Sequence, residues 1–252
     1  MISNEASRRK SSARSERCRV LLSIIIPVFN EVNSLVKVVD RALTVDLPNG
    51  IARELIVVDD GSTDGTSELL RQFKNNPLVK VHHSVLNFGK GVAVRVALRY
   101  ASGDIVAIQD ADLEYDPIHL SALVTPLLNG QAKVVYGSRF LGKASGMVLL
   151  QGWGNRILTA FSNFLFQGTL TDAYTCYKVF DRTTADWLSR QLVSRGFELE
   201  AEITARLLRA GFEIQELPVI YQARSHQQGK KIRAGDGIKG LWMMLRLKLF
   251  VK

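Results

Sequence analysis

Short apolar runs alternate with segments of helical character between residues 20 and 138, and this alternation restricts the possible folds most strongly. Five runs rich in β-branched residues predict strands: VLLSIIIPVF (20–29), ELIVVDD (54–60), VKVHHS (79–84), IVAIQD (105–110) and KVVYGS (133–138). Helical patterns lie between them, at 30–43, 61–73, 89–101 and within 117–129. Strands that alternate with helices every 25–30 residues or so predict an α/β fold with a mostly parallel, doubly wound sheet.

The alternation weakens after residue 140. Amphipathic helices are predicted at 152–167 and 198–210, a late strand at 216–224 and a terminal helix at 238–252. One face of the terminal helix consists of Ile238, Leu241, Trp242, Leu245 and Leu249. A helix of this length is too short to span a bilayer. Two interpretations stay open: it packs on the domain, or it lies in a membrane interface.

The net charge of +9 lies entirely at the two ends of the chain. Residues 1–19 contain six Lys or Arg and two Glu, and residues 222–252 contain eight Lys or Arg and one Asp, whereas residues 20–221 are slightly acidic. Basic ends suit anionic partners, either nucleic acid or an anionic membrane surface. Nucleic-acid binding requires a basic stripe together with stacking aromatic residues. Residues 20–221 contain most of the aromatic residues but have no excess of basic ones, so we expect no nucleic-acid partner.

Cysteine content and hydropathy indicate a cytoplasmic location. Cys18 and Cys176 form no disulfide framework and have no metal-ligand spacing, which suits a reducing compartment. The Ser- and Arg-rich N-terminus has no apolar segment typical of a signal peptide. No apolar stretch reaches the length of a transmembrane helix.

An abrupt acidic edge follows the fourth predicted strand. In IVAIQDADLEYDP (105–117) the apolar run ends in Asp110, Asp112, Glu114 and Asp116. Residues two apart in an extended segment point the same way, so the first three of these carboxylates are expected to converge. Converging carboxylates repel unless a cation lies between them, and hard oxygen ligands suit Mg²⁺ or Mn²⁺. Asp116 precedes Pro117 and is predicted to be structural. A solvated acidic turn that caps a helix is the alternative interpretation.

Two further strand ends carry polar residues that can reach the same crevice. The first predicted strand ends in PVFNE (27–31) and the second in VVDDGSTDGT (57–66). Neighbouring strand ends of a doubly wound sheet share one ligand crevice. Glu31 and Asp60 can accept hydrogen bonds from a ribose or a base, and Gly61 can let a ligand approach the main chain. Together with the acidic edge, these segments predict a nucleotide site.

Other nucleotide-binding motifs are missing from the sequence. Neither G-x-G-x-x-G after the first strand nor G-x-x-x-x-G-K-[ST] occurs, which disfavours a dinucleotide site and a P-loop. NFGKG (87–91) places Lys90 at a predicted helix start, where it is a candidate phosphate contact.

PVFNE, DDGSTDGT, DADLEYDP and GSRF (137–140), in this order, resemble the signature of family 2 glycosyltransferases with the GT-A fold. The resemblance covers about residues 20–235 and is strongest to the dolichol-phosphate mannose synthase and polyprenyl-phosphate glucosyltransferase branch. It implies a GT-A catalytic domain at 20–225, preceded by a disordered basic tail (1–19). A basic acceptor loop and an interfacial amphipathic helix would follow at 226–252.

The resemblance also implies roles for individual residues. The nucleotide contacts would be Pro27, Phe29, Glu31, Val58, Asp60, Lys90 and Asp110. The metal ligands would be Asp110, Asp112 and Glu114. Arg139 and Asp172 would join Asp110 and Asp112 as catalytic residues. The acceptor phosphate would be held by Arg139, Arg156, Arg224, Lys230 and Lys231, because Arg and Lys bind phosphate well. Glu198 and Glu200, in the segment RGFELEAEI, would orient their neighbours.

The implied reaction is an inverting, metal-dependent transfer of a hexose from a nucleotide sugar, of the GDP-mannose or UDP-glucose type, to a polyprenyl or dolichyl phosphate. A divalent cation would stabilise the leaving diphosphate. The enzyme would lie on the cytoplasmic face of an anionic membrane, and a separate membrane-anchoring subunit is a candidate partner. Two alternatives remain: transfer to a saccharide or protein hydroxyl, which needs a general base, and a catalytically silent GT-A scaffold or subunit.

Overall fold

A computed structural model describes residues 20–48, 50–146, 149–224 and 234–250. The strands in these residues form one sheet in the order β3-β2-β1-β4-β6-β5-β7, where only β6 runs antiparallel to its neighbours. The strands are β1 (Leu21–Val28), β2 (Ala52–Asp59), β3 (Val79–His83), β4 (Ile105–Ile108), β5 (Val134–Ser145), β6 (Lys178–Asp181) and β7 (Gln215–Gln222). The predicted α/β class with a mostly parallel sheet is confirmed.

The helices connect the strands along the chain. They are α1 (Leu35–Thr44), α2 (Thr66–Leu70), α3 (Lys90–Tyr100), α4 (Leu120–Leu128), α5 (Leu149–Phe166), α6 (Arg182–Gln191), α7 (Leu199–Arg209) and α8 (Ala234–Leu249), with 3₁₀ turns at Arg71–Phe73 and Pro117–His119. Pro117 is favourable at the start of its turn because its fixed φ suits a first helical position.

Helices cover both faces of the sheet. Ile24 and Ile26 of β1 belong to one apolar cluster together with Leu35 of α1. Ile25 points the other way, into a second cluster that includes Val94 of α3. Because both faces of β1 are buried, its sequence is a continuous apolar run rather than an alternating one. A third cluster joins α5, α7 and α8 beside the sheet.

The pattern of the sequence does not reveal β6 and α6. β6 has four residues, and one of them is the fully buried Lys178. Asp181 caps α6 by accepting a hydrogen bond from the Thr184 main-chain N–H at 2.8 Å. An apolar run this short, interrupted by a lysine, gives no strand signal, and its placement between β4 and β5 depends on tertiary contacts. β5 also extends beyond the predicted segment, to Ser145, through a bulge where it pairs with β7.

The terminal helix packs on the domain. Met243, Met244 and Leu247 are buried against α5 and α7, and Leu241 of the predicted apolar face packs beside them, whereas Trp242 of that face is 63% exposed. Ile238 and Leu249 are exposed beside Trp242. The helix therefore packs on the protein and still presents apolar side chains to its surroundings.

Candidate active site

The carboxyl ends of β1, β2 and β4 lie at one edge of the sheet, and a cleft of about 640 Å³ opens there. Ligands of open α/β sheets bind at such an edge. The cleft is lined by Asn30, Glu31, Val32, Asn33, Ser34, Asp64, Leu113, Gln222, Ala223 and Arg224. Segments from all three predicted strand ends therefore lie in or beside one cleft.

Hydrogen bonds fasten the turn after β1 to the loop after β2. The Asn30 main-chain N–H donates to Ser62 Oγ at 2.9 Å, and the Thr63 N–H donates to Asn30 Oδ1 at 2.8 Å. The Glu31 N–H donates to Thr66 Oγ1 at 2.9 Å. The small polar residues of DDGSTDGT thus fix the shape of the cleft wall.

Asp60 and Gly61 make contacts to the loop before α3. The Asp60 carboxylate accepts hydrogen bonds from the main-chain N–H groups of Phe88 at 2.9 Å and Gly89 at 2.7 Å. Burial raises the pKa of Asp60, and these bonds partly oppose the rise. Gly61 has a φ of 73°, and a Cβ there would lie 2.6 Å from the Leu86 carbonyl carbon. The glycine is therefore required by close chain packing, whereas the sequence suggested access for a ligand.

The other nucleotide contacts implied by the resemblance lie at the ends of β1 and β2. Pro27 and Val58 are register partners, and both are buried. The Val58 side chain belongs to the core, so any contact from this residue to a nucleoside would come from its main chain. Phe29 is half-buried just beyond the end of β1.

A chain of buried charges holds Asp110. Lys90 Nζ lies 2.7 Å from Asp110 Oδ1 and 3.0 Å from Glu200 Oε1, and Lys178 binds the other oxygen of Glu200. Burial would lower the pKa of Lys90, but the surrounding negative charges, Asp110 foremost, raise it well above its usual value. Burial likewise would raise the pKa of Glu200, and the two lysines lower it. Lys90 is therefore a charged partner of Asp110, placed at the start of α3 as predicted.

Cys176 contacts the second oxygen of Asp110 through its thiol. Burial, followed by the nearby Asp110 charge, raises the pKa of the thiol well above its usual value. Both oxygens of Asp110 are thus bound by side chains of this protein.

Arg224 lies between the carboxylates of the cleft. Its Nη1 donates to Glu31 Oε2 at 2.9 Å, and its Nη2 donates to Asp112 Oδ2 at 2.9 Å. Burial together with the charges of Asp110 and Glu114 raises the pKa of Asp112 to about 7, and the Arg224 guanidinium opposes the rise. Arg224 thus partly compensates the repulsion between these carboxylates.

Glu114 fixes the end of β7 against the acidic edge. Its carboxylate accepts hydrogen bonds from the Tyr221 hydroxyl and from the Arg224 main-chain N–H, both at 2.8 Å. Its carbonyl oxygen accepts the Gln222 N–H at 2.9 Å. Asp116 is structural, as predicted, because it caps the 3₁₀ turn at Ile118 and pairs with Arg41.

Arg139 and Asp172 form a buried pair. Arg139 Nε and Nη2 donate to the two oxygens of Asp172, each at 2.7 Å, and the Arg139 main-chain N–H donates to Asp172 at 3.0 Å. Burial would lower the pKa of Arg139, whereas Tyr115 and Asp172 raise it. Glu216 orients the segment by accepting the N–H groups of Thr171 and Asp172. The guanidinium predicted for the acceptor phosphate is thus bound to the carboxylate predicted as catalytic.

Among the other predicted acceptor contacts, Arg156 lies near Arg139, since both guanidiniums lie against the Phe140 ring. Arg156 is exposed on α5 with its guanidinium 4.9 Å from the centre of the Phe140 ring. Lys230 and Lys231 lie outside the described residues. Only Arg224 among these cations lies on the cleft wall in the part of the chain that is described.

The carboxylates suit a divalent cation in chemistry but are not gathered around one point. In the described ranges, no group of three His, Cys, Asp or Glu side chains is arranged to hold a metal ion. Asp112 and Glu114 nevertheless offer hard oxygens of the kind Mg²⁺ and Mn²⁺ prefer, and the mutual repulsion at Asp112 is what a cation would relieve. These residues thus have the chemistry that a divalent ion needs, and one oxygen of Asp112 is bound by Arg224.

Sequence reasoning gave no role to several residues that order this site. Lys178, Cys176, Glu216 and Tyr221 all bind or orient predicted site residues. Of these residues, only Tyr221 could have been recognised from the sequence pattern. It alternates with the exposed Ile220 in β7, so its side chain is expected to point inward.

Solved structures confirm the fold class. The chain superposes on glucosyl-3-phosphoglycerate synthase from Mycobacterium tuberculosis, in its complex with Mg²⁺ and UDP, with a TM-score of 0.70 and 21% identity over 96% of this chain and 83% of that one. The complex of that enzyme with Mn²⁺, UDP and glucosyl-3-phosphoglycerate gives 0.69 and 20% identity over 94% and 82%. The fold is the GT-A fold of glycosyltransferases.

The profile of glycosyl transferase family 2 matches residues 23–189. The chain therefore belongs to glycosyl transferase family 2. The matched segment contains the strand ends, the acidic edge and the Arg139–Asp172 pair.

Curated relatives from Haloferax volcanii are named as glycosyltransferases. Glycosyltransferase AglD is 26% identical over 91% of this chain and 38% of its own length. The low-salt glycan biosynthesis hexosyltransferase Agl6 is 30% identical over 81% of this chain and 48% of its own length. The chain thus spans less than half the length of these two relatives.

No helix within the described ranges is both long enough and apolar enough to cross a membrane.

Proposed function

We propose that this glycosyltransferase moves a hexose from a nucleotide sugar, of the GDP-mannose or UDP-glucose type, to a polyprenyl or dolichyl phosphate with inversion at the sugar. The observation that carries the proposal is the cleft at the carboxyl ends of β1, β2 and β4, where Glu31 and Asp112 meet Arg224. Carboxylates for a cation and a guanidinium for phosphate are the groups that a diphosphate leaving group requires.

The donor and the cation are supported by similar proteins. Glucosyl-3-phosphoglycerate synthase has been solved with UDP-glucose and Mn²⁺, and with UDP and Mg²⁺. In this chain Asp110, Asp112 and Glu114 would hold Mg²⁺ or Mn²⁺. The bound cation would supply charge neutralisation of the leaving diphosphate. Lys90 adds a fixed positive charge beside Asp110.

Charge pairing in the site favours an acceptor that needs no general base. Among the described residues, Asp110 is bound by Lys90 and Asp172 by Arg139. Asp112, whose pKa is raised to about 7 mainly by burial, would be occupied by the metal. A carboxylate bound by a cation is a poor base, because the cation lowers its proton affinity. A lipid phosphate is already anionic near neutral pH and needs cations for binding, whereas a hydroxyl acceptor would need a base.

Two adjacent helices support a position at an anionic membrane surface on the cytoplasmic side. Trp153, Ile157 and Phe164 are exposed on α5, and Ile238 and Trp242 are exposed on α8. Trp153 is 62% exposed and places a large apolar ring at the surface of α5. The basic residues near these side chains are Arg156, Lys239, Arg246 and Lys248. Apolar side chains beside basic ones suit an interfacial position, where a separate anchoring subunit would be a further partner.

The test is a transfer assay with radiolabelled UDP- and GDP-hexoses, polyprenyl phosphate vesicles and Mn²⁺ or Mg²⁺. We expect label in the lipid fraction, and we expect Asp112→Asn to reduce transfer by about 100-fold or more because it removes a cation ligand. Asp46→Asn, at an exposed position away from the cleft, is the matched control and should retain activity.

Other outcomes would replace the proposal. Label in a water-soluble glycoside, with none in lipid, would indicate a hydroxyl acceptor. Binding of the nucleotide sugar without any transfer, with each hexose and each metal, would indicate a silent scaffold.

A further inference from the structure

Arg224 occupies a position among carboxylates where a cation is needed. Its two terminal nitrogens contact Glu31 and Asp112, and Nε lies 3.9 Å from Glu114. The side chain is mostly buried, with 18% of its surface exposed. One guanidinium, with a single positive charge, therefore contacts two carboxylates and lies near a third.

The main chain at Arg224 is fixed independently of its side chain. The Arg224 N–H and the Tyr221 hydroxyl both donate to the Glu114 carboxylate, and the Gln222 N–H donates to the Glu114 carbonyl. Rotation of the Arg224 side chain alone would free Asp112 Oδ2, without movement of the end of β7. Asp112 Oδ1 would keep its hydrogen bond from the Glu114 N–H at 3.0 Å.

We propose that Arg224 is an internal cation that competes with the divalent metal for Asp112, and that the nucleotide diphosphate draws it away. A guanidinium binds phosphate oxygens in the same two-pronged way as it binds carboxylates. The diphosphate thus gives Arg224 a new partner and leaves Asp112 for the metal. The inference rests on the proposed metal-dependent function and adds an order to it: the metal binds well only together with the nucleotide.

The competition explains two observations with one side chain. Arg224 contacts Glu31 and Asp112, and its Nε lies 3.9 Å from Glu114, yet in the described residues these carboxylates do not form a metal-ready cluster. An arginine that bridges Glu31 and Asp112 both compensates the repulsion and keeps the oxygens apart from a common centre.

The test measures Mn²⁺ binding by the electron paramagnetic resonance signal of free Mn²⁺, with and without UDP or GDP. For the wild-type protein we expect weak binding of Mn²⁺ alone and stronger binding with a nucleotide. Arg224→Gln should bind Mn²⁺ alone about tenfold more tightly, because the competing ion pair is gone. Its gain in Mn²⁺ affinity on adding nucleotide should be correspondingly smaller.

Two further variants control for charge and for folding. Arg99→Gln removes the same charge from the exposed surface of α3 and should bind Mn²⁺ as the wild type does. Arg224→Lys keeps the charge but has one donor nitrogen in place of the two terminal nitrogens that contact Glu31 and Asp112 separately, so its affinity for Mn²⁺ alone should lie between those of the wild type and Arg224→Gln. Circular dichroism checks that each variant is folded.

The outcomes separate this inference from the proposed function. Equal affinity of wild type and both Arg224 variants for Mn²⁺ alone, with nucleotide still increasing it, would overturn the inference and leave the metal-dependent transfer intact. Failure of every variant to bind Mn²⁺, even with UDP or GDP, would overturn both.

Discussion

Charged side chains of the cleft are bound to one another, and this pairing sets what a single substitution does. Lys90 touches Asp110 and Glu200, and Arg139 is held by Asp172. Removal of one member of a buried pair leaves an uncompensated charge, which usually destabilises a protein more than the pair stabilises it. Variants in these pairs therefore need a stability measurement beside the activity measurement.

Glu54 provides a stability prediction at a residue outside the cleft. Its carboxylate accepts hydrogen bonds from Ser23 Oγ at 2.6 Å, the Ser102 N–H at 2.7 Å and Lys80 Nζ at 2.7 Å, and so joins β1, β2, β3 and the loop before β4. Burial alone would raise the pKa of Glu54, but the hydrogen bonds from Lys80, Ser23 and Ser102 lower it to about 2.

We expect Glu54→Gln to lower the free energy of unfolding by about 2 kcal/mol at pH 7, since the folded state favours the ionised carboxylate. A depressed pKa stabilises the fold above the unfolded-state pKa of 4.5, and this contribution is lost as the pH falls from there toward 2. Urea unfolding at pH 7 and pH 3 measures the difference between variant and wild type.

The matched control for Glu54→Gln is Glu68→Gln, at an exposed position on α2. It should change the free energy of unfolding by less than about 0.5 kcal/mol. A loss for Glu54→Gln that is the same at pH 3 as at pH 7 would contradict the assignment of this contribution to the ionised carboxylate.

The sequence could predict which residues lie at the site better than what each of them binds. The strand ends follow from local pattern, so Glu31, Asp60 and Asp112 were placed at one edge of the sheet. The pairing of Asp112 with Arg224, 112 positions along the chain, depends on the packing of β7 and leaves no local signal. The same holds for Arg139 and Asp172, which are separated by 33 positions.

At the level of elements, the terminal helix shows what periodicity cannot decide. The apolar stripe of the sequence contained Ile238 and Trp242, which are exposed, and Leu241, which packs on the domain beside the buried Met243, Met244 and Leu247. α8 has apolar side chains over much of its circumference, so the helical period alone cannot decide which of them meets α7. Contact with α7 and α5 decides it.

This arrangement predicts a large loss of stability at one position of α8 and almost none at a neighbouring position. Met244 is fully buried, so Met244→Ala should lower the free energy of unfolding by about 2–4 kcal/mol through lost burial and a cavity. Trp242 is largely exposed, and Trp242→Ala should change it by less than about 0.5 kcal/mol. Urea unfolding of both variants is the measurement. A larger loss for Trp242→Ala than for Met244→Ala would mean that the face with Trp242, and not the face with Met244, packs on the domain.

The buried strands β1, β2 and β4 were predictable because each contains an uninterrupted run of apolar residues. They match their predicted positions within two residues. β6 was not predictable, because a four-residue strand with a buried lysine is stabilised by its neighbours β4 and β5 and by the Lys178–Glu200 pair. Its antiparallel direction likewise depends on the tertiary structure.

At the scale of the whole molecule, charge and exposed apolar surface coincide. The chain has a net charge of +9, and a large part of the excess lies in residues 222–252. Exposed apolar side chains of α5 and α8 lie beside Lys239 and Arg246. A surface of this kind is attracted to anionic lipid by charge and held there by apolar burial, and the two contributions respond differently to salt.

We therefore predict binding to vesicles that contain phosphatidylglycerol and weaker binding to pure phosphatidylcholine. Raising NaCl from about 0.1 to 1 M shortens the screening length from about 10 to 3 Å and should weaken the binding. The double variant Ile238→Ser, Trp242→Ser should bind anionic vesicles at least about tenfold more weakly, because two apolar side chains no longer enter the interface. Cosedimentation with the vesicles measures the bound fraction.

Val85→Ser is the matched control, because Val85 is an apolar residue that is 94% exposed after β3, outside both helices. It should sediment with vesicles as the wild type does. If the double variant also sediments like the wild type while binding remains sensitive to salt, the basic residues alone hold the protein at the lipid, and the apolar face of α8 must serve another contact. If all variants stay in the supernatant with anionic vesicles, this chain does not bind membranes by itself, and transfer to a lipid acceptor would require the anchoring subunit.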